Sequence, residues 1–361
     1  MFIHSLELDN YRNYKDLKIE FSEKTNILYG DNAQGKTNIL EAIYVCGTTK
    51  SHRTSKDKEL INFNSDESHI RCLAKKEDFD YKIDIHLKKN KSKGIAVNGN
   101  PLKKARDIYG IVNCILFSPE DLNIIKNGPS ERRRFIDIII SQLDKIYLDN
   151  LIKYNKILDN RNKLLKDISF DSNLMETLEV WDSQLVYYGN RIINKRKRFI
   201  TELNDLVKDI HKNLTGGEEN LLVEYEKSVD SDDFERELKR NQKKDLSYKN
   251  TSIGPHRDDL LLSVNGIDIR KYGSQGQQRT TALSLKLSEI ELVKRKINTM
   301  PVLLLDDVLS ELDSNRQIYL LNSIKDIQTI ITCTGLDNFV KNRFSMDKVF
   351  KVCGGTIIEE N

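Results

Sequence analysis

Residues 30–38 read Gly30-Asp31-Asn32-Ala33-Gln34-Gly35-Lys36-Thr37-Asn38. The first eight fit the pattern Gly-x-x-x-x-Gly-Lys-Thr, and they lie between an apolar run at 26–29 and a helical pattern at 38–45. A strand, a glycine-rich turn and a helix in this order present backbone N–H groups that can cradle phosphate oxygens. In such a loop Lys36 reaches the β- and γ-phosphates, and the Thr37 hydroxyl can ligate Mg²⁺. The stretch therefore predicts a binding site for a nucleoside triphosphate.

A hydrophobic run near the other end of the chain, 302–305, ends in the acids Asp306 and Asp307. A buried strand that delivers an acid to the phosphates forms the second half of a P-loop nucleoside triphosphatase. We expect Asp306 to hold Mg²⁺ and Asp307 to orient or deprotonate the attacking water. The alternative is a strand that ends in a turn with two surface acids.

The separation of these two motifs along the chain predicts the domain organisation. Because Thr37 and Asp306 stand near opposite ends, the ends have to meet in space while the middle is looped out. Strand and helix patterns alternate at both ends and helical patterns fill the middle, which is typical of an α/β domain with an insertion. We expect the nucleotide-binding head at 1–127 and 251–361, and a helical lobe at 128–250.

Apolar residues in the middle of the chain recur at helical spacing. They predict one helix over about 143–165 and a longer one over 174–210, with turn residues at 167–173 between them. Two long helices joined by a short turn predict a short antiparallel coiled-coil arm. The alternative is an ordinary helical subdomain that buries the same positions. In the longer helix these are Leu174, Leu178, Trp181, Leu185, Tyr188, Ile192, Phe199, Leu203, Leu206 and Ile210.

The charges of the chain nearly cancel. Lys and Arg number 58 and Asp and Glu 55, so the formal net charge is +3 and any basic surface for nucleic acid has to be local. Three basic clusters stand in the helical region, one of them Lys239-Arg240 with Lys243 and Lys244, and each could instead be an ordinary solvated face. Four consecutive basic residues on a helix point to all sides, so at most two of them face one ligand. The two clusters expected to contact DNA are Arg132-Arg133-Arg134 and Lys195-Arg196-Lys197-Arg198.

Composition excludes several classes of protein. No apolar run approaches the roughly 18–20 residues of a membrane-spanning helix. The five cysteines are scattered and include no Cys-x-x-Cys pair, which argues against a disulfide framework and against a zinc site. We therefore expect a cytoplasmic protein with reduced thiols and no membrane partner.

A third motif precedes the acid pair. Ser274-Gln275-Gly276-Gln277 opens a helical pattern, and Ser274 is a good candidate for its N-cap. The order of phosphate loop, Ser-x-Gly element, acid pair and the run Ser-Glu-Leu-Asp at 310–313 resembles the ABC-type ATPase heads of the SMC and Rad50 class. The resemblance implies ATP and Mg²⁺ as cofactors. It also implies a homodimer in which Ser274, Gly276 and Gln277 contact the ATP of the opposite subunit.

Further motifs narrow the resemblance to the RecF family of bacterial DNA replication and repair proteins. The family implies binding to gapped DNA or to single-strand/duplex junctions, with RecR and RecO as partners. The wider class implies that Arg12 contacts the α-phosphate or the adenine edge, and a surface arginine is the alternative. The motifs are Asn10-Tyr11-Arg12-Asn13-Tyr14, Ser51-His52-Arg53-Thr54, Phe117-Ser118-Pro119-Glu120-Asp121-Leu122, Gly128-Pro129-Ser130-Glu131-Arg132-Arg133-Arg134 and Gly254-Pro255-His256-Arg257-Asp258-Asp259.

The chain departs from the class at several functional positions. Gln275 replaces the middle glycine of the signature, and Asp307 is one methylene shorter than the usual general-base glutamate. ATPases of this class carry a glutamine in the loop that corresponds to residues 117–122. This chain has no glutamine there, and Glu120 is the candidate for its role. The class also has a histidine after the strand that corresponds to residues 330–331. No histidine follows that strand pattern here, and Thr332 and Thr334 are the candidates to replace it. These departures predict slow hydrolysis, and together with the resemblance they imply a weak, DNA-stimulated ATPase that acts as a switch.

With this resemblance, the sequence predicts an ATP-dependent DNA-binding protein of recombinational repair and replication-fork maintenance. ATP binding is expected to drive homodimerisation on gapped or junction DNA and slow hydrolysis to end it, which would promote recombinase loading and the SOS response. The alternatives are the ATPase subunit of an ABC transporter and a structural scaffold of SMC type. Nucleotide-dependent dimerisation with DNA-stimulated hydrolysis distinguishes the first hypothesis from both.

Overall fold

The computed structural model describes residues 1–297, 299–335 and 347–360. They form two compact units. One consists of Met1–Asp121 and the described residues from Glu289 onward, and the other of Leu122–Ser288. Within the described ranges, no helix combines the length and the apolar character that a bilayer crossing requires.

The first unit contains a six-stranded antiparallel sheet. Its strands are β1 (Phe2–Tyr11), β2 (Tyr14–Glu20), β4 (Glu67–Lys76), β5 (Phe79–Lys88), β6 (Lys91–Val97) and β7 (Asn100–Pro101). Across the sheet they follow the order β2-β1-β4-β5-β6-β7. Buried and more exposed residues alternate along β4, as expected for a sheet with one face on the core.

A second, largely parallel sheet completes the first unit. Its strands are β3 (Thr25–Tyr29), β8 (Cys114–Phe117), β12 (Val302–Asp306), β13 (Thr329–Cys333), β14 (Lys348–Cys353) and β15 (Thr356–Glu360). The order is β15-β14-β3-β13-β12-β8, and only β15 runs antiparallel to its neighbour. Every residue of β12 is buried, because elements cover both faces of a parallel sheet.

The N-terminal strand β3 lies between two strands from the C-terminal part of the chain, β13 and β14. The helix that follows it, α1 (Lys36–Thr48), packs against β8, β12 and β13. The other described helix wholly within this unit is α10 (Ser314–Ser323). The two ends of the chain therefore form one α/β domain, which confirms the predicted fold class with its helical insertion.

The second unit is mainly helical. Its helices are α2 (Asn123–Lys126), α3 (Pro129–Leu143), α4 (Lys145–Asp167), α5 (Leu178–Leu214), α6 (Phe234–Arg240), α7 (Gln242–Tyr248) and α8 (Ile269–Tyr272), and α9 (Gln275–Ile297) begins here and ends in the first unit. A small antiparallel sheet has the order β11-β10-β9. Its strands are β9 (Leu221–Glu226), β10 (Asp259–Val264) and β11 (Ile267–Asp268).

The unit boundaries differ from those expected from the sequence pattern. The segment 251–288 is expected in the head, but it belongs to the helical unit. The reason is that β10 pairs with β9 along its length and the first half of α9 is hydrogen-bonded to the end of α5, between Ser284 and His211. The first boundary lies after Asp121 instead of after residue 127.

Helices α4 and α5 pack against each other and run antiparallel. Arg161 near the end of α4 pairs with Asp182 near the start of α5, at 2.6 Å between Nε and Oδ1. Arg161 also contacts Asp245 of α7, at 2.8 Å between NH1 and Oδ2, and is fully buried. Because α5 packs against α6 and β9 as well, this helix pair is part of a helical subdomain and does not form a free-standing coiled-coil arm.

The apolar residues of α5 recur at intervals of three or four positions, with one interval of seven between Ile192 and Phe199. Arg196 occupies the inner position that this interval leaves without an apolar residue. Only 2% of Arg196 is exposed, on the inner side of the helix. Its guanidinium lies 2.9 Å from the carboxylate of Asp137 on α3 and donates to the carbonyl of Pro255 at 2.7 Å. A buried charge with such partners acts as a core residue, so Arg196 is not available to DNA in this structure, contrary to the expectation.

The run 254–259 connects several elements of the second unit. Asp258, which is 1% exposed, accepts a hydrogen bond from the Tyr225 hydroxyl of β9 and lies 3.5 Å from NH1 of Arg196. Asp259 binds Arg132 of α3 at 2.6 Å and Arg270 of α8 at 2.9 Å. These two carboxylates therefore hold α3, α5, α8 and β9 together.

We predict that Arg196→Met strongly destabilises the protein. The change removes the charged partner of the half-buried Asp137 and of the buried Asp258, and breaking a buried ion pair in this way costs about 3–5 kcal/mol. Denaturant unfolding measures the effect, with Arg198→Met, at an exposed position of the same helix, as the control. Equal unfolding free energies for the two variants would contradict the structural role of Arg196.

Candidate nucleotide-binding site

The loop between β3 and α1 is anchored at two glycines. Gly30 has a φ of 149°, and a Cβ there would lie 2.3 Å from the carbonyl oxygen of Val352. Gly35 has a φ of 115°, and its Cβ would lie 2.5 Å from the side chain of Asn13. No other residue type fits either position, because the left-handed backbone and the close neighbours both exclude a side chain. The loop conformation is therefore determined by its packing against the β1–β2 turn and β14.

Lys36 lies across the mouth of this loop. Its ammonium group donates to the carbonyl oxygens of Gly30 at 2.6 Å and Asp31 at 2.8 Å. Gln34, which the sequence pattern places among the nucleotide-binding residues, anchors the loop by accepting a hydrogen bond from the N–H of Gly354 at 2.6 Å. The ammonium group of Lys36 is thus held beside the backbone that is predicted to cradle phosphates.

The loop borders a polar cavity of about 230 Å³. Apart from Ala33 its lining consists of polar, charged and glycine residues, and no aromatic side chain is among the described ones, so the cavity suits phosphate groups better than a base. The lining residues are Asn32, Ala33, Gly35, Lys36, Thr37, Asn38, Arg53, Asp306, Asp307 and Thr332.

The acid pair meets the phosphate loop directly. The Thr37 hydroxyl donates to Oδ1 of Asp306 at 2.8 Å, and the Thr332 hydroxyl donates to the same oxygen at 2.7 Å. The backbone N–H of Asp307 donates to the Thr332 oxygen at 3.0 Å, and Asp307 has a φ of 54°. Thr332, a candidate for the role of the missing histidine, therefore orients both acids of the pair.

The oxygen atoms of Thr37 and Asp306 are of the hard type that Mg²⁺ prefers. The described part of the chain contains no group of three or more His, Cys, Asp or Glu side chains suited to a metal ion. Magnesium here would therefore depend on phosphate oxygens and water for most of its ligands, which is its usual mode of binding. On this chemistry the residues fit the ion together with a nucleotide, but not the ion alone.

Arg53 lines the cavity, although no sequence motif predicts a role for it there. Its NH1 donates to Oδ1 of Asn38 at 3.0 Å, and the amide of Asn38 donates to Oδ1 of Asn13 at 2.7 Å. An exposed guanidinium is thereby held beside Lys36 at the mouth of the cavity. The only signal in the sequence was its place in a motif, Ser51–Thr54, whose chemistry the spacing alone does not reveal.

Arg12 is not among the described residues that line the cavity. Its Nε and NH2 donate to the two carboxylate oxygens of Glu41 at 2.8 and 2.7 Å, and NH1 donates to the carbonyl of Glu59. Burial by itself would raise the pKa of Glu41, but hydrogen bonds from Arg12 and Ser51 outweigh it and hold the pKa below its ordinary value. Arg12 is thus held by an ion pair to α1, and its contact with nucleotide stays a prediction.

Comparisons with known proteins agree along the whole chain. The RecF/RecN/SMC N-terminal domain matches residues 2–357. The chain is 63% identical to the DNA replication and repair protein RecF of Agathobacter rectalis, over 99% of both chains, and 62% identical to that of Lachnospira eligens, over 100% of both. The chain belongs to the RecF family.

Solved structures support the family fold. The recombination mediator protein RecF of the RecFOR pathway, solved with ATP, is 39% identical, with a TM-score of 0.94 over 100% of this chain and 98% of that one. An SMC head bound to the C-terminal winged-helix domain of ScpA is 17% identical, with a TM-score of 0.58, over 100% of this chain and 98% of that one. The RecF-family chain therefore has the ABC-type ATPase fold that RecF shares with SMC heads.

The signature motif of this RecF-family chain begins helix α9. The backbone N–H of Gln277 donates to Oγ of Ser274 at 3.2 Å, and the N–H of Ser274 donates to Oε1 of Gln277 at 3.0 Å. This reciprocal pair is a capping box, in agreement with the expected N-cap. Ser274, Gln275 and Gly276 are exposed at the surface of the second unit.

Glu120 does not line the cavity. It is exposed on a short 3₁₀ turn, Pro119–Leu122, that follows β8. Since β8 is parallel to β12, the turn leaves the sheet at the same edge as Asp306. A role for Glu120 in place of the missing glutamine stays a prediction.

The two basic clusters divide between buried and exposed side chains. Arg132 is 3% exposed and pairs with Asp259, so it does not fit the expected DNA-binding role, and Arg133 donates to the carbonyl of Asp258. The exposed members of the clusters are Arg134, Lys197 and Arg198, and Lys195 is partly exposed beside Asp144.

We predict that Thr332→Val weakens the binding of Mg²⁺-ATP about tenfold. The change removes the hydroxyl that orients Asp306 and accepts from Asp307, and losing one partner of a buried hydrogen bond costs about 1–3 kcal/mol. Calorimetric titration with ATP, with and without Mg²⁺, measures the affinity. Thr356→Val, at an exposed position on β15 that does not line the cavity, is the control. Equal affinities for the two variants would show that Thr332 has no role in the site.

Proposed function

We propose that this chain is an ATP-dependent DNA-binding protein of recombinational repair and replication-fork maintenance. ATP binding would drive homodimerisation on gapped or junction DNA, and slow hydrolysis would release the DNA. RecO and RecR are the proposed partners, and recombinase loading and the SOS response the proposed outcomes. The observation that carries the proposal is the 2.8 Å contact between Thr37 and Asp306, which brings both halves of an ATPase site together in a chain of the RecF family.

The residues of the cavity have distinct roles in this proposal. Lys36 and Arg53 supply positive charge for the phosphates, and the N–H groups of the loop bind phosphate oxygens. Thr37 and Asp306 would hold Mg²⁺, which when bound neutralises charge on the β- and γ-phosphates. Asp307 directly follows Asp306 in the chain. We propose that its carboxylate accepts a proton from the attacking water.

Slow hydrolysis is proposed because of the side chain at position 307. An aspartate is one methylene shorter than the glutamate of the class, so its carboxylate reaches less far from the backbone. The left-handed backbone of Asp307 and the hydrogen bond from its N–H to Thr332 limit its freedom to move closer. A base held short of the reacting water lowers the rate of proton transfer.

A second copy of the chain is proposed to complete the site. Ser274, Gln275 and Gly276 are exposed at the beginning of α9, where N–H groups and a hydroxyl can bind an anion. We propose that Ser274, Gly276 and Gln277 bind the γ-phosphate of the ATP held by the other copy. Full-length similarity to RecF proteins favours this hypothesis over a transporter subunit.

The exposed side of α5 is the proposed DNA-binding face. Arg191 and Arg198 are exposed and seven residues apart, so they lie on the same side of the helix, two turns or about 10.5 Å from each other. Arg191 stacks on the half-exposed ring of Tyr187, 3.6 Å from its centre. Lys195 lies between them and is partly exposed beside Asp144. Such a row suits phosphates and carries no base specificity.

We predict that Lys36→Ala abolishes ATP binding, whereas Ser274→Ala preserves ATP binding and prevents dimerisation. Sedimentation velocity with ATP and Mg²⁺ measures the dimer, and a fluorescent ATP analogue measures binding. Ser274→Asn keeps an N-cap acceptor but lacks the hydroxyl, which separates a loss of the cap from a loss of the phosphate contact.

Ser183→Ala, at an exposed serine of α5, is the matched control for these variants. If both Lys36→Ala and Ser274→Ala formed dimers with ATP as the wild type does, a dimer with ATP between the two copies would be wrong. The same samples yield the turnover number. A value on the order of tens per second, which is typical of ordinary enzymes, would contradict a slow switch.

We predict that the double variant Arg191→Ala/Arg198→Ala binds gapped DNA at least about fivefold more weakly. Each lost phosphate contact also lowers the slope of log affinity against log salt by about one. Fluorescence anisotropy at several salt concentrations measures both quantities. Lys18→Ala/Lys88→Ala, which removes the same charge from exposed positions in the other unit, is the control. Equal losses in the two double variants would contradict a specific DNA face on α5.

A further inference from the structure

Both ends of the Gln277 side chain are engaged. Its Oε1 accepts a hydrogen bond from the N–H of Ser274, and its Nε2 donates to Oε1 of Glu219 at 2.8 Å. The orientation of the amide is therefore determined, since a carboxylate can only accept and the backbone N–H can only donate. Glu219 thus contacts the capping box of α9 from outside the signature motif.

Glu219 is itself held by a buried histidine. Its Oε2 lies 3.1 Å from Nε2 of His211, and because a carboxylate accepts, this ring nitrogen carries a hydrogen. His211 is fully buried in the last turn of α5. Its Nδ1 lies 2.9 Å from Oγ of Ser284 on α9. His211 therefore contacts α9 directly at Ser284 and, through Glu219, at Gln277, which is two turns earlier on the same face.

The backbone around Glu219 is also held in place. The next residue, Asn220, donates from its N–H to Oδ1 of Asn265 at 2.9 Å and accepts from the N–H of Asn265 at 3.0 Å. The carboxylate of Glu219 thus lies between a fixed backbone and a buried ring. Its negative charge lies beside the first turn of α9, where it also stabilises the positive end of the helix dipole.

The first turn of α9 needs this support. Ser274, Gln275 and Gly276 are exposed, so no packing holds them. Glycine lowers helix stability by about 1 kcal/mol relative to alanine, and exposed helix ends fray readily. Among the described contacts that hold the turn are the capping box, the bond from Gln277 to Glu219, and a bond from the Thr280 hydroxyl to the carbonyl of Gly276 at 2.8 Å. The bond to Glu219 connects the capping box to a segment outside α9.

We propose that Glu219 and His211 are positioning residues for the signature turn. They keep Ser274 and Gly276 in one conformation, and they connect that turn to the end of α5. The consequence for ATP rests on the proposed function: an ordered turn meets the nucleotide of the second copy without an ordering cost, so loss of Glu219 weakens the dimer and leaves ATP binding to one copy unchanged.

The first test is hydrogen exchange of residues 274–278 in the full-length protein without nucleotide. Glu219→Ala is expected to exchange at least about tenfold faster there than Glu218→Ala, which removes the same charge at the neighbouring exposed position. Glu219→Gln keeps an acceptor oxygen for Gln277 and should recover most of the protection, even if the alanine variant folds poorly. Equal exchange in Glu219→Ala and Glu218→Ala would overturn the proposal.

The second test measures ATP-dependent dimerisation by sedimentation and ATP binding with a fluorescent analogue. Glu219→Ala is expected to weaken the dimer at least about tenfold while ATP affinity changes less than about twofold. Faster exchange with an unchanged dimer would overturn the functional half of the proposal. If the wild type itself formed no dimer with ATP, the proposed function would fail, and the exchange experiment would still decide whether Glu219 positions the turn.

Discussion

The parallel pairing of β3 with β13 is the contact on which the nucleotide site depends. Residues 25–29 pair in register with 329–333, and β12 lies on the other side of β13. Because parallel strands end at a common edge, the loop after β3 and the acids after β12 arrive at the same place. The hydrogen bond from Thr37 to Asp306 is the direct result. Neither motif could form a site alone, since one supplies the phosphate cradle and the other the acids.

In the second unit, buried ion pairs take the place of part of an apolar core. Arg196 and Arg161 each lie on the inner side of the helix pair with carboxylates beside them. Ion pairs of this kind contribute little net stability, because desolvation offsets their attraction, but a missing partner is costly. They therefore select one arrangement of the surrounding helices. Only a small part of the high charge content of this chain is buried in this way, and most of its charged residues lie outside the buried core.

Local patterns predicted much of the site. The phosphate loop was recognisable because its glycines, lysine and threonine are contiguous, and the capping box of Ser274 because its partner is three residues away. Asp306 followed from a buried strand that ends in an acid. Arg53 and Glu219 carried no such signal. Arg53 reaches the cavity through a turn whose path depends on Glu41, and Glu219 reaches Gln277 across 58 residues of chain.

The sequence by itself determined the fold class, the looped-out middle and the candidate residues for binding phosphate, because periodicity and contiguous motifs depend only on near neighbours in the chain. Tertiary structure alone decided which arginines are inside. Four basic residues in a row at 195–198 look alike in sequence, yet Arg196 is buried against Asp137 while Arg198 faces solvent. It also decided that Arg12 pairs with Glu41. The physical reason is that burial and ion pairing depend on which distant segments fold against a side chain, and no local pattern records that.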